Sequence, residues 1–526
     1  MSLLLSPMAK NSSAGFYNGA VSSSLRMQNG RLTRTPSATG NPKKWTFSAW
    51  IKRGTLGQSY IFAGSPLAAG YDGLAAIYFD GTDQLHTYYD TSGANPYGAV
   101  GPRLYRDTSS WYHLVWAVDA ANTIHKIWIN NELVSTDTGK YPPNVNYGMN
   151  NSGDEMVIGD GSWDSYGSAD FNGYMAEINY LDNQYLEPDA FAETKNGIWI
   201  PLKDPSLTYG TNGFRLQFDQ VGVGTASTST IGADTSGNTH HFTSSGIVAS
   251  DCALPDSPEN NFATWNEVDA KGSAATMAEG NLKVTSGGNS YDNIPSTFMM
   301  SSGKWYWEVT GNTYSAAICG VDGIGWGGSV SGTGSNAIGY WTTGPLYYDG
   351  GNVQGGASYA TTDVLAVSVD MDSGIAKFYK NNSEQYSVTF GESGIPDLSA
   401  GAFPIRNGST TGSYTIANFG QDSSFAGTET AQGNTDSNGI GDFYYEPPSG
   451  FLALCTKNLP EPTIGANSDT QADDHFNTIL YTGNGQTGLA NSGVGFQPDF
   501  VWLKNRTGTA YYHQIYDSTR GATKAL

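Results

Sequence analysis

The run Trp111-Tyr112-His113-Leu114-Val115-Trp116-Ala117-Val118-Asp119, continued by Ile124-His125-Lys126-Ile127-Trp128-Ile129, Asn130-Asn131 and Leu133-Val134, decides the fold. Its first segment reads as one extended strand, with His113 and Leu114 on opposite faces. Asn tolerates the positive φ of a tight hairpin, so Asn130-Asn131 predicts a turn that folds the next strand back on Leu133-Val134. Working outward, short apolar and polar alternations separated by Gly, Asn, Asp and Pro clusters extend from Ser24 to about Pro201. The pattern returns in Trp305-Tyr306-Trp307-Glu308-Val309 and in Val364-Leu365-Ala366-Val367-Ser368-Val369-Asp370. The latter enters the turn Met371-Asp372-Ser373-Gly374 and comes back as Ile375-Ala376-Lys377-Phe378-Tyr379-Lys380-Asn381-Asn382.

A chain of 526 residues is too long for one core and suggests roughly three to four domains. It holds 67 glycines and is 13% aromatic but only 14% charged, against about 25% charged in ordinary domains. That mixture means many turns and short strands. Helix-forming runs of Ala, Leu, Glu and Lys are nearly absent, so the expected fold class is all-β, built of serial antiparallel β-sandwiches.

The net charge of −22 argues against a nucleic-acid partner, which needs clustered Lys and Arg. Cys252, Cys319 and Cys455 are odd in number and far apart, which excludes a disulfide framework and shows no zinc pattern. No stretch approaches the roughly 18 apolar residues of a membrane span, so no membrane insertion is expected. Met1-Ser2-Leu3-Leu4-Leu5-Ser6-Pro7 lacks the basic segment and the length of an export signal, so synthesis in a cytosol is expected.

The order of strand, Asn hairpin and closing Phe171-Asn172-Gly173-Tyr174-Met175-Ala176-Glu177-Ile178 resembles the laminin-G, or concanavalin-A-like, family, with Asn131 where that family usually has Gly. The segments from Trp305 to Asn418-Phe419-Gly420 resemble the SPRY sandwich family, with Asn382 in place of the usual Gly. The tail from Phe443, in which Phe500 to Lys504 and Tyr511 to Asp517 read as paired strands, resembles a domain at the end of phage tail-fibre and virion-appendage proteins. There the domain continues past the point where this chain stops, which implies a partial C-terminal β domain. The expected organisation is an arm over 1–18, a concanavalin-A-like jelly roll over 19–201 and a connector with short strands over 202–260. A SPRY-like sandwich over 261–425, a linker over 426–442 and the C-terminal β domain over 443–526 complete it.

Retaining glycoside hydrolysis needs two carboxylates about 5–5.5 Å apart, which on one strand means a spacing of two. Asp154-Glu155 runs into Met156-Val157-Ile158 and Glu177 stands alone, so the chain is not expected to be an enzyme. His240-His241 would face opposite ways on a strand and read as structural, and no nucleophile elbow is present. Gly325-Trp326-Gly327-Gly328 precedes no helix and cradles no phosphate.

Asp160, Asp164 and Asp170 lie in one Gly-, Ser- and Tyr-rich loop and are candidate calcium ligands, a reading the laminin-G resemblance supports; Asx turns explain them equally. Aromatic rings stack on sugars, which makes Trp163, Tyr166, Tyr347 and Tyr348, near Gly, Asp or Asn, candidate glycan contacts at loop tips. The alternative is that they brace turns or interfaces.

These readings, with the resemblances, imply a structural virion protein: a phage tail fibre or appendage presenting lectin-like domains to a host-surface glycan or receptor. The resemblance further implies a homotrimer or attachment to other virion proteins, with the chain made in the host cytoplasm and placed on the virion surface. An architectural capsid or tail decoration and a glycan depolymerase are the competing expectations.

Overall fold

The computed structural model describes residues 19–65, 74–89, 100–135, 148–161, 169–195, 197–270, 275–287, 292–312, 317–323, 336–408, 410–459, 475–485, 489–506, 512–521 and 524. The expected arm over 1–18 lies outside them. Among the described residues the protein is all-β, with only single-turn 3₁₀ segments between strands. No helix there is long and apolar enough to cross a membrane. The chain divides into a large unit, residues 19–193 and 200–458, and a small one, 194–199 and 459–526.

The large unit holds two sandwiches. In the first, the sheet order is Leu25–Met27, Gly173–Asp182, Lys44–Arg53, Tyr112–Asp119, Ile124–Ile129 and Glu132–Ser135, with Phe214–Leu216 also paired to Gly173–Asp182. Facing it is the order Thr243–Ser245, Arg31–Arg34, Glu155–Ile158, Ser59–Ser65, Ala75–Phe79, Gln84–Tyr89 and Val100–Leu104. Period-two alternation sends Trp45, Phe47, Leu114, Trp116, Phe62 and Ile77 between the sheets, where all are buried. Trp45 meets Trp116 edge to face with centroids 4.6 Å apart, and Phe47 stacks on Phe62 at 4.4 Å.

The second sandwich sets the order Thr276–Ala278, Lys283–Thr285, Tyr414–Asn418, Lys304–Gly311, Leu365–Asp370, Ile375–Lys380 and Ser383–Thr389 in one sheet. The other runs Asp292–Pro295, Ala402–Gly408, Ala317–Gly323, Ala337–Trp341, Leu346–Tyr348 and Gly351–Val353. Both Asn-Asn hairpins form as the sequence indicates. Asn130 and Asn131 have φ of 49° and 66°, and Asn381 and Asn382 have φ of 47° and 62°. Ile129 pairs Glu132 and Lys380 pairs Ser383, so each loop has two residues, both left-handed, the turn whose twist suits a hairpin.

Two expected boundaries move. The connector over 202–260 belongs to the first sandwich: Phe214–Leu216 and Thr243–Ser245 extend its sheets, and Phe214, Leu216, Phe218, Ile231 and Phe242 enter its core. The stretch read as a linker over 426–442 and the start of a domain at 443 instead closes the second sandwich. Phe443, Ala453 and Cys455 bury against Phe262 and Tyr306, and Leu452–Ala453 pairs in parallel with Lys304–Gly311. The small unit takes up the chain at Leu459. Within it Phe500–Leu503 pairs antiparallel with Gln514–Asp517.

Two fully buried cations join the sandwiches. Lys52 Nζ lies 2.8 Å from Asp256 and donates to Asn261 Oδ1 at 2.7 Å and to the Phe262 carbonyl at 2.9 Å. Arg26 donates to Asp251 at 3.1 Å and to Asp422 at 2.8 Å. Burial pulls Lys52 down and pushes Asp256 up, and their mutual attraction opposes both shifts. Lys52→Met strands the buried Asp256 and is expected to cost about 3–5 kcal/mol in urea unfolding; an unchanged midpoint sinks this account of the seam. Asn131→Val forces a β-branched side chain into a left-handed position and should cost about 1–2 kcal/mol, while Asn131→Gly should cost nothing. The two melting temperatures check it.

Candidate functional site

The second sheet of the first sandwich has a face turned away from the core. Along Ser59–Ser65 a bulge between Tyr60 and Phe62 lets both Ile61 and Phe62 enter the core. Tyr60 and Ala63 point the other way, as do Ala76 and Tyr78 of the next strand and Tyr88 of the one after, and they cluster with Ala169. Tyr60 is buried and stacks on Tyr78 with centroids 4.8 Å apart; Tyr78 and Tyr88 are half-buried. His86 flanks Tyr78 at 5.4 Å. Burial, then Tyr60 and Asp80, push the Tyr78 hydroxyl up to about 12, so it stays protonated and able to donate.

Beside this cluster stand two of the three expected calcium ligands. Asp160 is buried and holds Arg31 at 2.9 Å. Asp170 is half-buried; burial first, then a hydrogen bond to Asp160 and its charge, push its carboxyl up to about 6. Asp164 lies outside the described residues, as do Trp163 and Tyr166. Calcium takes six to eight oxygens, and here Asp160 already serves the Arg31 guanidinium. Among the described residues no group of three or more metal-ligating side chains forms.

Tyr347 and Tyr348 do not sit at a loop tip. They belong to the strand Leu346–Tyr348, paired to Gly339 and Ile338, and Tyr347 packs on Trp341 at 5.1 Å. The edge hairpin holds both half-buried. His240 and His241 precede the strand Thr243–Ser245 rather than alternating along one.

The buried acids are held by structure. Glu177 sits at a bulge with φ of 43° and receives Arg215 Nε at 2.6 Å and Asn179 Nδ2 at 3.2 Å. Glu308 accepts from Tyr306 Oη at 3.0 Å, Tyr444 N at 2.8 Å, Tyr445 N at 2.7 Å and Asn418 Nδ2 at 3.2 Å. It thereby fastens the 434–458 segment to the second sandwich. Burial pushes its carboxyl up to about 7. His113 and His125 are pushed down to about 3 by burial and stay neutral, bonded to Ser48 and Trp116.

Residues 28–188 match the Laminin_G_3 family, the concanavalin A-like lectin/glucanases superfamily, and residues 471–526 match DUF7483, a domain of unknown function. The first sandwich is therefore a concanavalin-A-like domain. No curated protein matches the chain by sequence. Among solved structures it is similar to the SPRY domain of human HERC1, at 17% identity and TM-score 0.26, covering 29% of this chain and 96% of that one. It is similar to a putative carbohydrate binding protein from Bacteroides ovatus at 16% and 0.31, covering 44% and 59%. It is also similar to the Ruminococcus gnavus IT-sialidase CBM40 bound to alpha2,3 sialyllactose, at 15% and 0.26, covering 32% and 92%.

Glu308 makes stability pH-dependent in a defined direction. Its ordinary value is 4.5 and its folded value about 7, so between these the folded chain keeps a proton that the unfolded chain has released. The contribution is full below about 4.5 and is lost as pH rises through about 7. Glu308→Gln should flatten the fall in urea stability of the second sandwich between pH 5 and 7.5, by a few kcal/mol at most. Parallel pH profiles in the two proteins count against this assignment.

Proposed function

We propose that this chain is a non-enzymatic glycan-binding protein whose first sandwich meets hydroxyl-rich surfaces through the sheet face centred on Tyr78 and Tyr88. One observation carries this reading: the segment matching the lectin/glucanase superfamily is the one whose outward sheet face holds stacked tyrosines, with Tyr78 and Tyr88 half-buried, beside Asp160 and Asp170. Tyrosine faces suit the apolar sides of pyranose rings, and carboxylates accept from their hydroxyls. Hydrolysis is disfavoured because Asp160 is already held by Arg31. Glu177 and Glu308 are already occupied by structural donors.

The finer reading is display on a virion as a phage tail fibre or appendage, in three copies, anchored by other virion proteins and made in the host cytoplasm. Its support is the resemblance of the C-terminal tail, which the small unit takes up at Leu459, and the serial order of two sandwiches. Weak single contacts repeated on a particle gain avidity, which suits a shallow aromatic site. A glycan array probed with the full chain should give binding that falls about tenfold in Tyr78→Ala/Tyr88→Ala, without release of reducing sugar from the bound glycans. Immunogold labelling of particles tests the location. Array binding that the double variant leaves intact, or none by the wild type, overturns the site.

A further inference from the structure

At the other end of the same sheet lies a pocket of about 360 Å³ lined by Arg34, His240, His241, Glu155 and the hydroxyl side chains of five residues, Thr33, Thr35 and Thr243 among them. Its volume falls in the range of about 300–1,000 Å³ usual for small-molecule sites. Most such sites are apolar, and this one is not. Its walls answer a ligand rich in hydroxyls.

The arginine sets the ligand's charge. The large unit holds eight arginines, and seven of them, Arg26, Arg31, Arg53, Arg103, Arg106, Arg215 and Arg406, have a carboxylate within 4.0 Å; among the described residues Arg34 has none. Its Nη1 reaches only the Asn212 carbonyl at 3.4 Å and Met156 Sδ at 3.9 Å. The charge that favours it most is Asp234, whose carboxylate is already engaged. It accepts from Arg215 N at 2.9 Å, Ser236 N at 2.8 Å, Ser236 Oγ at 2.9 Å and His240 N at 2.8 Å. In a chain with 48 acidic and 26 basic residues, a half-buried guanidinium without a carboxylate is left for something else to neutralise.

Those bonds of Asp234 also fix the two imidazoles. The Asp234 backbone N–H donates to His241 Nδ1 at 2.9 Å, so Nδ1 accepts and Nε2 is left as the ring's donor. His240 Nδ1 faces the Gly213 carbonyl at 3.0 Å, which only accepts, so that ring carries its proton on Nδ1 and offers Nε2 as acceptor. Arg34, the two imidazoles and Glu155 thus line one small volume together with residues that carry hydroxyls.

We propose that this pocket is a binding subsite for an acidic sugar residue, with Arg34 pairing the sugar carboxylate while His240, His241, Glu155 and the threonines take its hydroxyls. The proposal rests on the glycan-binding reading above and adds to it a second subsite and a class of sugar. Saturation-transfer NMR on the full chain, with glucuronate and glucose as probes, tests it, because these two differ at one carbon that is carboxylate or hydroxymethyl. Glucuronate should bind about tenfold tighter than glucose, the difference expected of a charge-assisted pair. Arg34→Gln should abolish that preference and leave glucose binding unchanged. Thr35→Trp, at an exposed position on the rim, should fill the pocket and remove both, and it decides the matter alone if Arg34→Gln fails to fold. No preference in the wild type, or a preference that Arg34→Gln retains or Thr35→Trp leaves intact, overturns the subsite. If glycan-array binding persists in that case, the sheet-face reading stands without this pocket; if the wild type binds no glycan, both fall.

Discussion

Two wholly buried cations on the outer side of the first sandwich determine how the large unit is put together. Arg26 lies between the core residues Leu25 and Met27, so alternation turns it away from that core; Lys52 does the same beside Ile51. Neither charge can be buried without partners, since an uncompensated ion in such a place costs several kcal/mol. The main partners lie downstream in the chain: Asp251, Asp256 and Asn261 between the sandwiches, and Asp422 just after the last long strand of the second. Further hydrogen bonds follow the same seam, with Asn281 Nδ2 donating to the Gly54 carbonyl at 3.0 Å and Leu56 N to Glu267 Oε2 at 3.1 Å. Ion pairs of this kind add little net stability over an apolar seam, but they admit few alternative docking arrangements. The two sandwiches are therefore one compact unit.

Strands and turns were readable from the sequence because they depend on neighbours a few residues away. Alternation around Trp111 to Asp119 and the two Asn-Asn dipeptides needed no distant partner to be interpreted. The seam was not readable for the opposite reason. Arg26 meets Asp422 across 396 positions, and a basic residue on a short strand ordinarily reads as exposed. The same blindness misplaced the segment after Ala426. Its Gly, Ser, Thr and Asn look like a linker, yet Asp436 gathers the amides of Asn438, Ile440 and Ala453, and Glu308 holds those of Tyr444 and Tyr445. Composition records the absence of apolar side chains; it does not record amides collected by a distant carboxylate.

The site divides along the same line. Asp160 and Asp170 were found by counting acids in one loop, but Arg31, which occupies Asp160, comes from a strand 129 residues earlier. Tyr60 and Tyr78 gave a weaker signal than the loop aromatics because they lie inside strands. Ala75-Ala76-Ile77-Tyr78-Phe79 does carry the clue: Ile77 between Ala76 and Tyr78 means that the two must share the opposite face. Tyr347 and Tyr348 show the converse error, since proximity to Gly and Asp marked a hairpin whose strand, rather than its tip, holds them. For His240 and His241 the residue types were noted, but their ring orientation depends on Asp234 and Gly213 and could not be.

What leaves one sheet of the first sandwich for recognition is the use of the other. The outer face of the sheet containing Tyr112–Asp119 is covered at one end, where Val115, Ala117, Trp128 and Leu181 bury against Phe191, Leu207 and Tyr209. At the other end Lys52, Trp111 and Tyr174 face the seam, with Trp111 Nε1 donating to Asp256 at 3.1 Å. That face contributes to folding and docking, so its aromatics carry no free surface. The opposite sheet has no second sandwich to satisfy among the described residues, and its outward positions hold tyrosines, hydroxyls and acids, with Arg34 at its rim. A residue type that is structural on one sheet is thus available on the other. The seam decides which, because it fixes the side of the sandwich that the rest of the chain must occupy.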